Sequence, residues 1–541
     1  MATTLTAVPL SSAAASSSGV IAGRAFLCWA VLAFVLGAIG ILQFQQRDFD
    51  YAQAWVAADF ATMARTFDVH GIADLRGVPV NNNAPLGVDP PVYTHWPPLF
   101  PILLSGWFAA FGASEASAHG LMLLLWILNT AAIGLLARQC FDNRDGVCVT
   151  LLAWMGMPAV VRFAHAPIHL HLCVLLLLVA TLCFVSRRAP RWLGMLALAA
   201  SVAASWEGAL LAIGLTAFAI TSGDAKARRL GLQYFATGIA AAVGILAWYL
   251  TAYPKNLREL LGVLSVRMRL ANGYAVDPLL DSGSQSPMSL VKVVILQALH
   301  SWDMLGTVGA LALILLLVEG FQTRWRFGVS GGRFSFVTAG WAGVWLIWYS
   351  VLSHHAAMHN YEALILAPLA AFAIARLIER GMSPRQRGGA LEKLVTWAFV
   401  VPGVLLFPLA SSVARPAAAD PADVALVRFG RELRRLTPPG AIVLTPEWSM
   451  VPVYYSGRRI VRGVTALPRF TDVTKALPKA FPEGPRVYFA APAGAELPPD
   501  LLAALPGWPQ KGEVRLVEML SVSARSTNRG ADATGRSGNP D

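Results

Sequence analysis

Apolar runs of about 17 to 25 residues, the length that crosses a bilayer as a helix, recur along the chain between Arg24 and Ala414, separated by short polar breaks. They predict membrane spans at 25–44, 117–137, 147–163, 167–186, 192–206, 207–222, 230–250, 302–319, 335–353, 360–378 and 393–413. A shorter run over 96–111 opens with two prolines and suits a helix lying in the interface rather than crossing. After Arg415 the pattern changes to that of a soluble domain. It predicts helices over 422–436 and 470–477, buried strands at 441–444, 459–464 and 486–490, and an alternating edge strand over 513–520. The expected fold is a polytopic α-helical membrane protein with a small C-terminal α/β domain. Its parts are a disordered N-terminus (1–23), a membrane domain (24–414), a soluble domain (415–521) and a disordered tail (522–541).

Composition agrees with the pattern. The 541 residues are 56% hydrophobic and only 14% charged, with a mean hydropathy of +0.55, whereas soluble domains carry about 25% charged residues. A cytosolic enzyme, a nucleic-acid binder and a secreted disulfide scaffold are excluded. The net charge of +12 sits largely in short loops, where it orients the protein. If 96–111 does not cross, the loops with Arg138 and Arg144, with Arg187, Arg188 and Arg191, with Lys226, Arg228 and Arg229, and with Arg380 and Lys393 all face the cytoplasm. That gives about eleven spans, a cytoplasmic N-terminus and an external C-terminal domain. The segments 45–116 and 251–301 become external loops. The five cysteines form no CxxC pair, so no disulfide framework or zinc site is encoded.

External chemistry is then the expectation. Asp48 and Asp50 follow the first span, and Asp59 lies on a segment where Val56, Phe60, Met63 and Phe67 recur at helical spacing, an amphipathic helix expected on the membrane surface. A carboxylate there can serve as general base toward a hydroxyl; the plainer reading is acids that solvate a loop. In Tyr93-Thr-His-Trp-Pro-Pro-Leu99 the prolines fix a helix start and hold His95 at the interface, either against a lipid phosphate or beside an aromatic anchor. Arg162, His165, His169, His171 and Glu207 are ionisable groups at membrane depth, where such groups usually face a cavity. His165 and His169 share a helix face, yet no third ligand lies within sequence reach of them. His355, His359 and Tyr361, beside Glu362, gather at one external turn and suit a phosphate or sugar site, or a polar loop. Arg267 and Arg269, with Lys255 and Arg258, make an external loop cationic, which suits a departing phosphate or anionic headgroups.

These features together resemble the GT-C superfamily of integral-membrane glycosyltransferases, in the branch of the protein O-mannosyltransferases and the lipid A aminoarabinose transferase. The carriers are the acids and helix of 48–67, Ala64-Arg65-Thr66-Phe67 with Gly71, the Tyr93–Leu99 string, Phe111-Gly112, Trp206-Glu207-Gly208, and His359-Asn-Tyr361 with Pro368. The resemblance implies transfer of a monosaccharide from a polyprenyl-phosphate donor to a hydroxyl of an acceptor glycan, lipid or protein. Transfer would occur on the external face of a bacterial inner membrane, with inversion, with an external-loop Asp as base and with no nucleic acid involved. Asp50, Asp59 and Asp48 are the candidate bases; Tyr93, His95, Glu207, Arg267, Arg269, His355, His359 and Tyr361 are the candidate substrate contacts. Two positions depart from the family pattern. Val56 stands where the family carries its acid, so Asp59 or Asp50 takes that role, and His95 replaces a basic residue. No ligand spacing demands a metal, and a divalent cation stays open as a cofactor. The competing readings are a transporter or flippase of a lipid-linked sugar, for which internal repeats are the expected sign, and a non-catalytic lipid-sugar binding subunit.

Overall fold

The computed structural model describes residues 11–51, 53–81, 92–186, 188–221, 224–254, 260–261, 264–265, 268, 289–322, 332–381, 401–414, 419–480, 484–492, 494–505, 507 and 514–519. The chain divides into two compact units, one built from 1–48, 94–272 and 285–418, the other from 49–93, 273–284 and 419–541.

The first unit is helical. Among the described residues, six helices are long and apolar enough to cross a membrane: Ala25–Leu42, Glu115–Cys140, Ala225–Ala252, Leu290–Glu319, Arg333–Val351 and Asn360–Arg380. Other expected crossings fall on shorter apolar helices, Leu170–Val185, Arg191–Ala204, Glu207–Thr221 and Pro402–Ala414. The run expected over 147–163 is broken. Pro158 starts a new helix after Met157, giving Arg144–Gly156 and Pro158–Phe163, because proline has no N–H to continue the ladder but suits a first turn. The two prolines at 97–98 act likewise, so the interfacial segment is helical only over Leu99–Phe111. Its 13 residues reach about 20 Å, short of the bilayer's hydrocarbon thickness. At the N-terminus the helix begins at Ser11, inside the stretch expected to be disordered, where alanines of high helix propensity alternate with serines.

Small residues set one close helix contact. Glu207–Thr221 packs on Gly332–Val351, and a Cβ on Gly214 would lie 2.5 Å from the carbonyl oxygen of Gly340. Without side chains at either position the two backbones approach closely, as apolar helices do where dispersion replaces the hydrophobic effect.

The second unit holds the sheet. Strands β1 (Ile442–Leu444), β2 (Arg459–Val461), β3 (Val487–Pro492) and β4 (Val514–Met519) lie in the order β2-β1-β3-β4. The first three are parallel and β4 is an antiparallel edge. Ile442, Leu444, Val487 and Phe489 pack with Phe470 and Val473 of the helix Leu467–Ala480 to form its core. The helix Ala54–His70 belongs to this unit too, and it corrects the expectation of an amphipathic helix on the membrane surface. Its supposed polar face is buried along with the apolar one: Asp59, Thr62 and Thr66 are enclosed, and Trp55 is the exposed residue. The cause is packing against the helix Val451–Ser456, where Arg65 Nη1 donates to the Tyr454 carbonyl at 2.8 Å and its guanidinium lies 3.7 Å from the Tyr454 ring centroid.

Candidate functional site

In the helical unit, five sequence-predicted residues converge around Trp96. The indole of Trp206 donates to the His95 carbonyl at 3.0 Å, and the Tyr249 hydroxyl donates to the Trp96 carbonyl at 2.8 Å, so the backbone of the proline string is held from two helices. The Trp96 ring lies 4.4 Å from His169 and 5.3 Å from His355, centroid to centroid. His355 continues to His359 at 4.5 Å, and His359 to Tyr361 at 5.3 Å. The other edge of His355 meets a carboxylate, with Nε2 2.9 Å from Oε1 of fully buried Glu362. Glu207, equally buried, accepts from the Ser205 hydroxyl, and Cys173 lies close to both carboxylates. His95, Glu207, His355, His359 and Tyr361 thus share one polar cluster, in which Glu207, His355 and Tyr361 are buried and His95 and His359 half-buried. Trp96, His169 and Glu362 belong to it as well; the sequence marks Trp96 as an aromatic anchor and His169 and Glu362 as polar groups near a site, without placing them among the substrate contacts.

The other membrane-depth residues go elsewhere. His165 stacks on Phe44 at 3.6 Å while His169 turns to Trp96, so this pair does not converge on a metal. His171 Nε2 lies 2.7 Å from the Phe163 carbonyl, and Arg162 pairs with Asp303 at 2.7 Å. Beside the cluster, a cavity of about 610 Å³ runs along the helices Leu290–Gln322 and Gly332–Val351. Its wall is mostly apolar, with Gln297, Ser301, Tyr349, Ser350 and Ser353 as its polar members.

In the second unit, Asp59 is the distinctive group. The residue is 95% buried, and Oδ1 has no hydrogen-bond partner among the described residues. Burial pushes its carboxyl up from 3.8 to about 7, against the opposing pull of the Arg462 guanidinium and a hydrogen bond from Asn81. Arg462 follows β2, and Asp59, Tyr93 and Glu447 all face it; burial lowers its own proton affinity. Tyr93 and Asn81 are brought to the same place by a bridge between Val80 and Val92, with Tyr93 N donating to the Pro79 carbonyl at 2.7 Å. No sequence signal marked Arg462, because nothing around Arg-Gly-Val distinguishes it from any strand end.

Asp50 occupies a different setting. Its carbonyl accepts from Asp420 N at 2.7 Å, and its carboxylate joins Asp420 and Glu447 around Asp423. Burial, with those three like charges, raises the Asp423 carboxyl to about 6. Asp48 belongs to the helical unit. Arg267 and Arg269 lie outside the described residues, as do Lys255 and Arg258. Among the described residues no group of three or more His, Cys, Asp or Glu side chains is arranged to hold a metal ion.

No protein-family model matches the sequence, and no curated protein matches it. Solved structures do. ArnT from Cupriavidus metallidurans, bound to undecaprenyl phosphate, superposes with a TM-score of 0.58 at 13% identity, over 91% of this chain and 97% of that one. The fold is that of the GT-C glycosyltransferases. An archaeal oligosaccharyltransferase, AglB from Archaeoglobus fulgidus, in complex with an inhibitory peptide and a dolichol-phosphate, has a TM-score of 0.53 at 12% identity, over 86% of this chain and 69% of that one. The sequence resemblance to this superfamily therefore holds at the level of architecture, as an integral membrane protein.

Proposed function

We propose that the chain is a glycosyltransferase that moves a monosaccharide from a polyprenyl-phosphate donor to an acceptor hydroxyl, with inversion, on the external face of the membrane, and that Asp59 is the base. The observation that carries the base assignment is the buried Asp59 carboxyl, with a vacant Oδ1 and a proton affinity raised to about 7. A base is most effective when its pKa lies near the working pH, and Oδ1 carries no competing hydrogen bond among the described residues. Asp50, in an acidic group with its carbonyl engaged by Asp420, is the second candidate.

The fold and the helical unit support the donor reading. One structural neighbour holds undecaprenyl phosphate and another a dolichol-phosphate. In this chain the apolar cavity of about 610 Å³ suits an isoprenoid tail. The cluster of His95, Glu207, His355, His359 and Tyr361 suits the sugar-phosphate headgroup, with imidazoles offsetting charge on the leaving phosphate. Dense basic loops on the opposite side favour an external site.

The test is transfer of labelled sugar from a panel of polyprenyl-phosphate monosaccharides in proteoliposomes. Asp59→Asn is expected to keep donor binding and lose turnover, by about 10²- to 10⁴-fold. Loss confined to Asp50→Asn would move the base there. Absence of transfer from any donor by the wild type, with membrane extract as acceptor, would favour the transport or binding readings.

A further inference from the structure

Outside the groups used so far, the carboxyl edge of the sheet carries a surface that the transfer chemistry does not itself require. β1 runs out into Thr445-Pro-Glu-Trp448 and β2 into Arg462-Gly463. Because the two strands are parallel, both segments leave the same edge. Gly463 N donates to the Glu447 carbonyl at 3.1 Å and ties them together. The chain steps from β1 to β2 on one side and returns to β3 on the other, so the topological switch point lies between β1 and β3, and the segment after β1 borders it. In open α/β sheets, ligands bind in the crevice outside the strands' carboxyl ends at such a point.

Trp448 is fixed there. Glu447 Oε1 accepts from the N–H groups of Trp448 and Ser449, both at 2.8 Å, and Arg462 Nη1 donates to the Trp448 carbonyl at 2.8 Å. The indole packs directly on the backbone of Gly463, whose φ of +65° and lack of a Cβ permit the approach. The Arg469 guanidinium lies 5.0 Å from the ring centroid, and Arg469 Nη2 donates to the Arg462 carbonyl at 3.0 Å. Yet Trp448 remains 36% exposed. An indole clamped on several sides but open to water offers a rigid apolar surface whose ordering entropy is already spent.

We propose that Trp448 is a stacking platform for a pyranose ring of the acceptor, which makes that acceptor a glycan or glycolipid. The inference rests on the transferase reading above and adds the chemical class of its acceptor. A pyranose has an apolar C–H face and a rim of hydroxyls. The face fits the indole, and the rim fits the carboxylate of Glu447 and the guanidinium groups of Arg462 and Arg469. Arg462 holds the Trp448 carbonyl and also faces Asp59, so one side chain links the platform to the proposed base.

The test uses the full-length protein in nanodiscs and two neutral probes, cellotetraose and an α-1,6-linked mannotetraose, read by saturation-transfer NMR and titration. A serine- and threonine-rich peptide is the comparison ligand. At least one tetrasaccharide is expected to bind the wild type, to weaken about tenfold or more in Trp448→Ala, and to be retained within about threefold in Trp448→Phe. Asp59→Asn is expected to bind like the wild type, so failure of the base assignment would leave the binding result standing. Equal behaviour of wild type and Trp448→Ala toward both tetrasaccharides, whether both proteins bind or neither does, overturns the platform. Trp448-dependent binding of the peptide alone overturns the glycan assignment.

Discussion

His355 Nε2 lies 2.9 Å from Oε1 of Glu362, and both side chains are withdrawn from solvent. An ionised carboxylate only accepts, so the imidazole N–H donates. A buried pair of this kind stabilises little against a well-packed apolar pair, but removing one partner strands the other. His355→Leu, which leaves Glu362 without its donor, is expected to lower stability by about 3–5 kcal/mol. The double variant His355→Leu/Glu362→Leu is expected to recover much of that. Thermal unfolding in one detergent measures all three, and a single variant as stable as the wild type would show that the carboxylate is held by something else.

With Asp59 as the proposed base, stability and activity are expected to respond to pH in opposite directions. The folded-state pKa of about 7 exceeds the unfolded value of 3.8. Between those values the native state holds a proton that the unfolded state has lost, so this group's contribution is full below pH 3.8 and falls as pH rises to about 7. Asp59→Asn should remove that slope, which denaturation at pH 5 and pH 8 would reveal. Activity should run the other way, with kcat/KM rising through the same range as the base loses its proton. A pH–rate profile flat from 5.5 to 8 would remove Asp59 from the role of base.

Six of the eleven expected spans, and the strands, were legible because each rests on local periodicity. The edge strand expected over 513–520 is observed at Val514–Met519, since one alternating face is enough to mark it. The cluster around Trp96 was legible in part. His355, His359 and Tyr361 stand in one short stretch, but their meeting with Trp96 and His169 depends on helix packing, which periodicity does not encode. The helix Ala54–His70 misled for the same reason. Its alternation of Val56, Phe60 and Met63 with Asp59, Thr62 and Thr66 is that of a half-exposed helix, and only the distant segment around Tyr454 shows that both faces are covered. Arg462 lies far beyond Asp59 in sequence, and no local rule links them.

Gly214 and Gly340 give a packing prediction. With a Cβ at 214 only 2.5 Å from the Gly340 carbonyl oxygen, the helices Glu207–Thr221 and Gly332–Val351 must separate to accept any side chain. Gly214→Val is expected to cost about 1–3 kcal/mol by overpacking. Gly244→Val, at a glycine with open space for 4 Å around the point where a Cβ would stand, should stay near the wild type. Similar thermal unfolding of the two variants would mean that the close approach is not what holds these helices together.

Arg462 supplies the sharpest test of how the acid site is tuned. Its guanidinium lowers the proton affinity of Asp59, in opposition to burial. Arg462→Met keeps most of the aliphatic stem but removes the charge, so the Asp59 carboxyl should rise above about 7 and the acidic limb of kcat/KM should move to higher pH. Arg462→Lys keeps a cation and should shift the limb less, although it cannot reproduce the planar fork that meets the Trp448 carbonyl. The loss in Arg462→Met should therefore be severe at pH 6 and partly relieved at pH 8.5, where even a raised carboxyl ionises. A purely structural role predicts something else: losing the hydrogen bond to the Trp448 carbonyl would depress the rate by the same factor at every pH. Full pH–rate profiles of the two variants and the wild type separate these outcomes, and parallel curves would show that Arg462 braces the loop without tuning the acid.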